Sequence, residues 1–216
     1  VLIDTATGAP VSLTDHTVTL KDGGTTVGTG YYNFGLGIGD SKDGLYVTYK
    51  LTRVDIDGGQ TLKLTNASAA SSSEGSDFNA QITGSGNLEL TATSGEKIIS
   101  LSHVDNTFTG TTNVTDGTIL KAKVDNIVKD SSRFTLGNGS AFQMNGTDQK
   151  VTDLNGAGTV TMTGGKTLTV ESVTDTTYAG VINGSGSLVK QGGAELTLTG
   201  NNTYSTGTTR VEGGKI

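Results

Sequence analysis

The chain has 216 residues, of which 33 are glycine, one is proline and none is cysteine, and it carries a formal net charge of −6. That acidic balance excludes the basic footprint needed to bind nucleic acid or an anionic lipid surface by charge. Only 17% of residues are charged and 32% are hydrophobic, so the chain is neither a highly charged disordered segment nor an ordinary apolar-rich globule.

Glycine and threonine are both poor helix formers, and the composition therefore points to short strands joined by glycine turns. The absence of cysteine suits either a cytosolic protein or a bacterial secreted chain that crosses an envelope unfolded. The first residues, Val1-Leu2-Ile3-Asp4, form no signal peptide. No segment approaches the length of an apolar membrane-spanning helix. The chain starts without Met and stops inside a repeat at Ile216, which reads as a fragment of a longer protein.

Residues 1–77 form an amino-terminal portion. Val11–Thr14 and Thr17–Leu20 alternate weakly and predict strands, with a turn at Asp22-Gly23-Gly24. His16 lies between the two runs with no second ligand nearby, so it reads as a surface residue.

Residues 31–51 are distinctive because they hold four of the six tyrosines: Tyr31, Tyr32, Tyr46 and Tyr49. Leu45–Leu51 is the strongest strand signal in the chain, and Asp40–Gly44 predicts the turn before it. The segment reads as a hairpin-like rung whose aromatics cap or flank the core. Its sharper reading is an exposed aromatic patch for a partner, with these four tyrosines as candidate partner-binding residues. Gly35, Gly37 and Gly39 mimic a dinucleotide turn but lack the helix that must follow. Asp55 and Asp57 share a strand face, which is too few oxygens at fixed spacing for calcium. A small polar run, Ala67–Asp77, predicts a loop and the break in the regular stack.

Residues 78–216 contain internal repeats. Ile82-Thr83-Gly84-Ser85-Gly86-Asn87-Leu88 recurs one hundred residues later as Ile182-Asn183-Gly184-Ser185-Gly186-Ser187-Leu188, and Leu154–Val160 is a third version. The run Asn106-Thr107-Phe108, then Gly110-Thr111-Thr112, Val114 and Gly117-Thr118-Ile119, matches Asn202-Thr203-Tyr204 through Gly214-Lys215-Ile216 with one inserted residue. The copies lie at 82–120, 154–170 and 182–216. Such a unit cannot bury its apolar side alone and should stack on its neighbours. Alternation predicts Leu188, Leu196 and Leu198 inward and Glu195, Thr197 and Thr199 in water; Lys190, as a charged residue, is expected in water as well. Between the copies, Lys121–Lys129 predicts a short helix or a widened loop. His103, at a strand end, has no partner in the sequence pattern.

The 182–216 unit resembles the autotransporter-associated β-strand repeat, roughly G-x-G-x-L-x-K-x-G-x-G-x-L-T-L-x-G-x-N-T-Y-x-G-x-T-x-V-x-x-G-x-L. Gly184, Gly186, Leu188, Lys190, Gly192, Leu196, Thr197, Leu198, Gly200, Asn202, Thr203, Tyr204, Gly207, Thr208, Val211 and Gly214 match it. Ala194 replaces a glycine, and the Tyr-to-Gly spacing is longer by one. The likeness covers the final two-thirds of the chain.

It implies a passenger of a type V secreted protein of Gram-negative bacteria, similar to diffuse-adherence and self-associating antigen adhesins. The resemblance also implies an all-β, right-handed parallel β-helix; coils of about twenty residues at the usual strand spacing would give about ten coils and a rod of about 50 Å. The passenger would be displayed outside the cell and anchored by an outer-membrane β-barrel not in this chain. Host matrix or surface molecules, or another copy of itself, are the implied partners. No nucleic acid, no membrane insertion of this segment and no cofactor are expected. A non-adhesive stalk and a polysaccharide-acting β-helix enzyme are the alternatives. The enzyme lacks a visible carboxylate cluster or a Gly-x-Ser-x-Gly elbow.

Overall fold

The computed structural model describes residues 16–38, 45–66, 76–93 and 95–216, with side chains omitted at 36–38 and 45–48. The expected strand at Val11–Thr14, the turn at Asp40–Gly44 and most of the 67–77 loop lie outside the described residues.

Three strands open the described chain: β1 (His16–Asp22), β2 (Thr25–Ile38) and β3 (Leu45–Ile56). They pair antiparallel in sequence order. After β3 the pairing changes sense. Arg53–Ile56 runs parallel to Gln81–Gly84, with Val54 beside Ile82 and Ile56 beside Gly84. The meander thus lies over the first coil of a parallel β-solenoid, and its buried Val54 and Ile56 join the solenoid core.

The solenoid has two long parallel sheets. One takes Ser76–Phe78, Ile98–Leu101, Ile119–Ala122, Ala141–Gln143, Thr159–Glu171, Val181–Gln191 and Ser205–Val211 in succession; the other takes Thr61–Thr65, Asn87–Thr91, Thr111–Val114, Arg133–Leu136, Asn155–Gly156, Thr176–Tyr178 and Leu196–Leu198. Every described strand pair of the solenoid after β3 is parallel. Inward side chains stack in register. Ile99, Leu120, Phe142, Val160 and Ile182 form one column, and Leu90, Val114 and Leu136 another; all are at most 2% exposed. Phe134 and Phe142 meet edge to face across the interior, with ring centroids 5.1 Å apart. Each buried aliphatic side chain contributes about 1.5–3 kcal/mol.

The solenoid has about six turns rather than about ten, so its length is about 30 Å at the usual strand spacing. Two causes are visible. Residues 16–56 are taken up by antiparallel strands. The early coils are also long: Leu62, Leu88, Thr112 and Phe134 pair in succession, with 26, 24 and 22 residues per coil. The stretch after Ala122 is a widened loop, not a helix, and it turns Ile127 and Val128 into the core.

The repeat signature has a geometric reason. Gly84, Gly156 and Gly184, the first glycines of the three copies, all have φ near +100° (+97°, +101° and +97°). A Cβ there would overlap the carbonyl oxygen of the coil before: Ile56, Leu136 and Met162 respectively. The repeat asparagine is a clamp between coils. Asn106 Oδ1 accepts the Ile82 N–H at 2.9 Å, and Asn202 Oδ1 accepts the Ile182 N–H at 2.8 Å.

Leu188 and Leu196 are buried, and Glu195, Thr197 and Thr199 face water. Lys190 does not face water. It is fully buried in an inward column with Val151 and Val170, and it pairs with the exposed Val211 of the last coil. Its Nζ donates to the carbonyls of Gln191 (2.7 Å), Gly192 (3.0 Å) and Gly213 (3.1 Å). Period-two alternation already puts residue 190 on the face of Leu188. Three backbone acceptors replace the water that lysine was expected to need.

Candidate functional site

The meander divides its aromatic residues between two faces. Tyr31 pairs with Arg53 and Tyr32 with Leu51, so Thr52 is an extra residue in β3. Its Oγ1 donates to the Tyr31 carbonyl at 3.1 Å. Such a bulge twists the strand and re-aims its side chains. Successive residues of β2 leave on opposite faces, so Tyr31 and Tyr32 separate.

On one face, Tyr32 and Tyr49 lie with ring centroids 6.3 Å apart, and Phe34 and Tyr49 with centroids 6.5 Å apart. His16 meets the Phe34 ring edge-on at 5.0 Å. Tyr49 is 73% exposed and Val18 47% exposed. Val18, Tyr32, Phe34 and Tyr49 line a shallow hollow of about 300 Å³. Offset and edge-on aromatic contacts of this kind hold a platform in shape while leaving ring faces open.

On the other face, the Arg53 guanidinium lies 3.8 Å over the Tyr31 ring. Tyr31, Asn33, Thr52, Arg53 and Gln81 line a second, polar cavity of about 210 Å³. The structure therefore brings together Tyr32 and Tyr49 of the four expected tyrosines and turns Tyr31 away from them. Tyr46 is paired across from Gly37, and its side chain lies outside the described residues. Sequence reading passed over Phe34, Val18 and Arg53. Phe34 and Val18 share the strand alternation of Tyr32, which is a usable signal; the bulge that positions Arg53 leaves none.

The solenoid commits several polar groups to structural contacts. Asp153, at φ +45°, accepts the N–H groups of Val173 (2.8 Å) and Thr174 (3.0 Å) and the Thr174 hydroxyl (2.6 Å). Burial pushes its carboxyl up, but the Thr174 and Val173 donors and the Arg133 charge outweigh that and hold it below the usual carboxylate range. The Thr167 N–H, with help from Lys166, does the same for Asp148 against burial. Desolvation lowers the pKa of Lys190. His103 Nδ1 accepts the Asp105 N–H at 3.1 Å in a local turn. Among the described residues no three His, Cys, Asp or Glu side chains group as they would around a metal ion.

A family model for the passenger-associated transport repeat matches residues 98–120 and 188–216. These spans contain the clamp asparagines Asn106 and Asn202, whereas the positive-φ glycines Gly84, Gly156 and Gly184 lie just before or outside them. The chain is autotransporter passenger-domain sequence. The passenger is 34% identical over 186 residues to an uncharacterized protein, YuaQ, of Escherichia coli K12, covering 86% of this chain and 13% of that protein. It is 30% identical over 199 residues to the uncharacterized lipoprotein YdeK of the same organism, covering 92% of this chain and 13% of that protein. It is 33% identical over 144 residues to the adhesin BmaC autotransporter of Brucella suis, covering 64% of this chain and 4% of that protein. The passenger sequence thus spans no more than 13% of the length of these relatives. No solved structure matches it. Passenger domains belong at the cell surface or outside the cell, and this chain's family places it there.

Proposed function

We propose that this passenger segment is a non-catalytic adhesive element, anchored through an outer-membrane barrel, that attaches to host matrix or to another copy of itself. The observation that carries the reading is the aromatic platform of Tyr32, Phe34 and Tyr49 beside Val18. Large apolar groups held open to solvent on a rigid sheet are a contact surface in waiting. The solenoid behind it supplies reach and stiffness by stacking coils on their nearest neighbours. Similarity to a protein that is itself an adhesin supports the same reading.

Two variants test it. Cells displaying residues 1–216 are compared with cells displaying the Tyr32→Ala/Tyr49→Ala double variant, for settling in suspension and for retention on a matrix-coated surface. The parent should settle or be retained, and the double variant should lose most of that effect. If the parent behaves like cells displaying nothing, the segment is a stalk and the adhesive reading falls.

A further inference from the structure

We infer that the meander face opposite the aromatic platform carries a second site, a subsite for one carboxylate-bearing sugar residue of an acidic polysaccharide. The inference goes beyond the adhesive reading: it adds a ligand class at a second site built from different residues.

Arg53 is the centre of the site. The Tyr31 ring fixes the plane of its guanidinium at 3.8 Å, as a stacked arginine is held ready for planar, two-point recognition of a carboxylate. Its Nε is buried and has no hydrogen-bond partner, and among the described residues no ion pair engages the group. With Nε closed off inside the protein, the terminal N–H groups of the fork are what Arg53 offers to the adjoining cavity of about 210 Å³, which it lines. Lys50 pairs across from Asn33 and is exposed. Directly opposed residues share a face, so a second cation stands beside the cavity.

The remaining lining distinguishes a sugar from a peptide. Thr52 commits its hydroxyl proton to the Tyr31 carbonyl, which leaves Oγ1 as an acceptor. Gln81 commits one amide N–H to the Asp105 carbonyl at 2.7 Å, which leaves Oε1 as an acceptor and the second N–H as a donor. Asn33 is exposed with both amide functions available. A peptide carboxylate would satisfy Arg53, but its backbone N–H and C=O groups point in fixed, opposed directions, whereas each ring hydroxyl of a sugar both donates and accepts and so can meet this mixed set of acceptors and donors within one residue. The hydroxyls of a uronate-type ring would satisfy both sets. The cavity is below the size of a whole small-molecule site, so it takes one residue of a chain. With a net charge of −6 the protein does not draw an acidic polymer from afar. Binding is local, weak at each sugar and strengthened where several copies engage one polymer.

The test is titration of the 1–216 protein with polygalacturonate and hyaluronan, with dextran and polyglutamate as controls. The parent should bind both acidic polysaccharides and not dextran. Arg53→Gln should weaken binding about tenfold, and Arg53→Lys should weaken it too, because the charge stays but the fork is lost. Asn33→Ala, at an exposed position that any fold tolerates, should weaken binding a few-fold even if the Arg53 variants melt early. Val173→Ala, exposed on the solenoid and outside the cavity lining, should bind like the parent. Failure to bind either acidic polysaccharide overturns the inference, as does undiminished binding by Arg53→Gln. Polyglutamate binding as tightly as polygalacturonate overturns the sugar assignment in favour of an acidic peptide. If the polysaccharides are ignored while displayed cells still settle through Tyr32 and Tyr49, this inference falls and the adhesive reading stands.

Discussion

The antiparallel meander and the parallel solenoid solve the same problem, closing the polar backbone of a glycine-rich chain, in opposite ways. In the meander, neighbouring strands are neighbours in sequence, and hairpin pairing satisfies the backbone locally. Side-chain packing in the meander is confined to Val27, Val54 and Ile56, with Leu20 and Leu51 half-buried against the core; beyond them one face becomes an aromatic platform while the other holds Arg53 over Tyr31. In the solenoid every strand pairs with a segment about twenty residues away. Glycines, asparagines and aspartates that would be surface punctuation elsewhere are committed to contacts between coils. Function can therefore vary on the meander with little loss of stability, and on the coils only with a large one.

The largest effect should come from breaking a coil-to-coil approach. Gly184→Ala puts a Cβ into the Met162 carbonyl at a φ of +97°. Steric overlap and backbone strain together should cost about 4 kcal/mol, or on the order of 10 °C in Tm for a chain of this length, read by circular dichroism. An equivalent change at Gly23, in the β1–β2 turn, meets open space and should cost far less, because only the positive φ opposes it. If the two substitutions destabilise equally, the contrast drawn between the regions is wrong. Next comes Lys190→Met. Methionine fits an aliphatic column, but it strands the Gln191, Gly192 and Gly213 carbonyls without their ammonium donor. A loss of about 2 kcal/mol is expected, measured by urea unfolding. A neutral or stabilising result would mean that water enters in the ammonium's place.

The ordering of these effects reflects what could be read in advance. Gly84, Gly184, Ile82 and Leu88 were legible because stacking forces the same backbone geometry on every copy, and that geometry leaves a periodic mark. Lys190 was misjudged because residue type and period disagreed: charge argued for water and alternation for the interior. Carbonyls contributed by Gly213 of the next coil settled the matter, and no local pattern announces them. The number of coils was overestimated because one repeat length was extended across residues that form hairpins. The split of Tyr31 from Tyr32 depends on alternation, which is legible. The pairing of Tyr31 with Arg53 depends on the Thr52 bulge, and a single inserted residue in a Thr-rich strand has no signature.

A middle-sized effect should separate the regions by pH. The Asp153 and Asp148 carboxyls are held below their ordinary range in the folded solenoid. A depressed carboxylate stabilises the fold above its unfolded value, near pH 3.9, and that contribution disappears as pH falls through the folded value. Urea midpoints should therefore drop on acidification below about pH 4. Asp153→Asn should lower stability at neutral pH by about 1–2 kcal/mol, since an amide oxygen replaces a charged acceptor of three hydrogen bonds. It should also flatten the acid limb. An acid limb unchanged by the substitution would assign the dependence to other groups.

The smallest stability effect should accompany a large functional one. Tyr49 is 73% exposed and its contacts are with Tyr32 and Phe34 on a surface platform. Tyr49→Ala removes ring area that water already reaches, so thermal stability should move by no more than about 0.5 kcal/mol. Settling or matrix retention of displayed cells should nevertheless fall. Gly184→Ala should reverse the pattern at short times after display, with stability lost while the meander, whose pairing is local, keeps its platform. A Tyr49→Ala variant that melts well below the parent would show that the aromatics support the fold, and the division between a scaffold of coils and a sheet free to bind would fail at its main point.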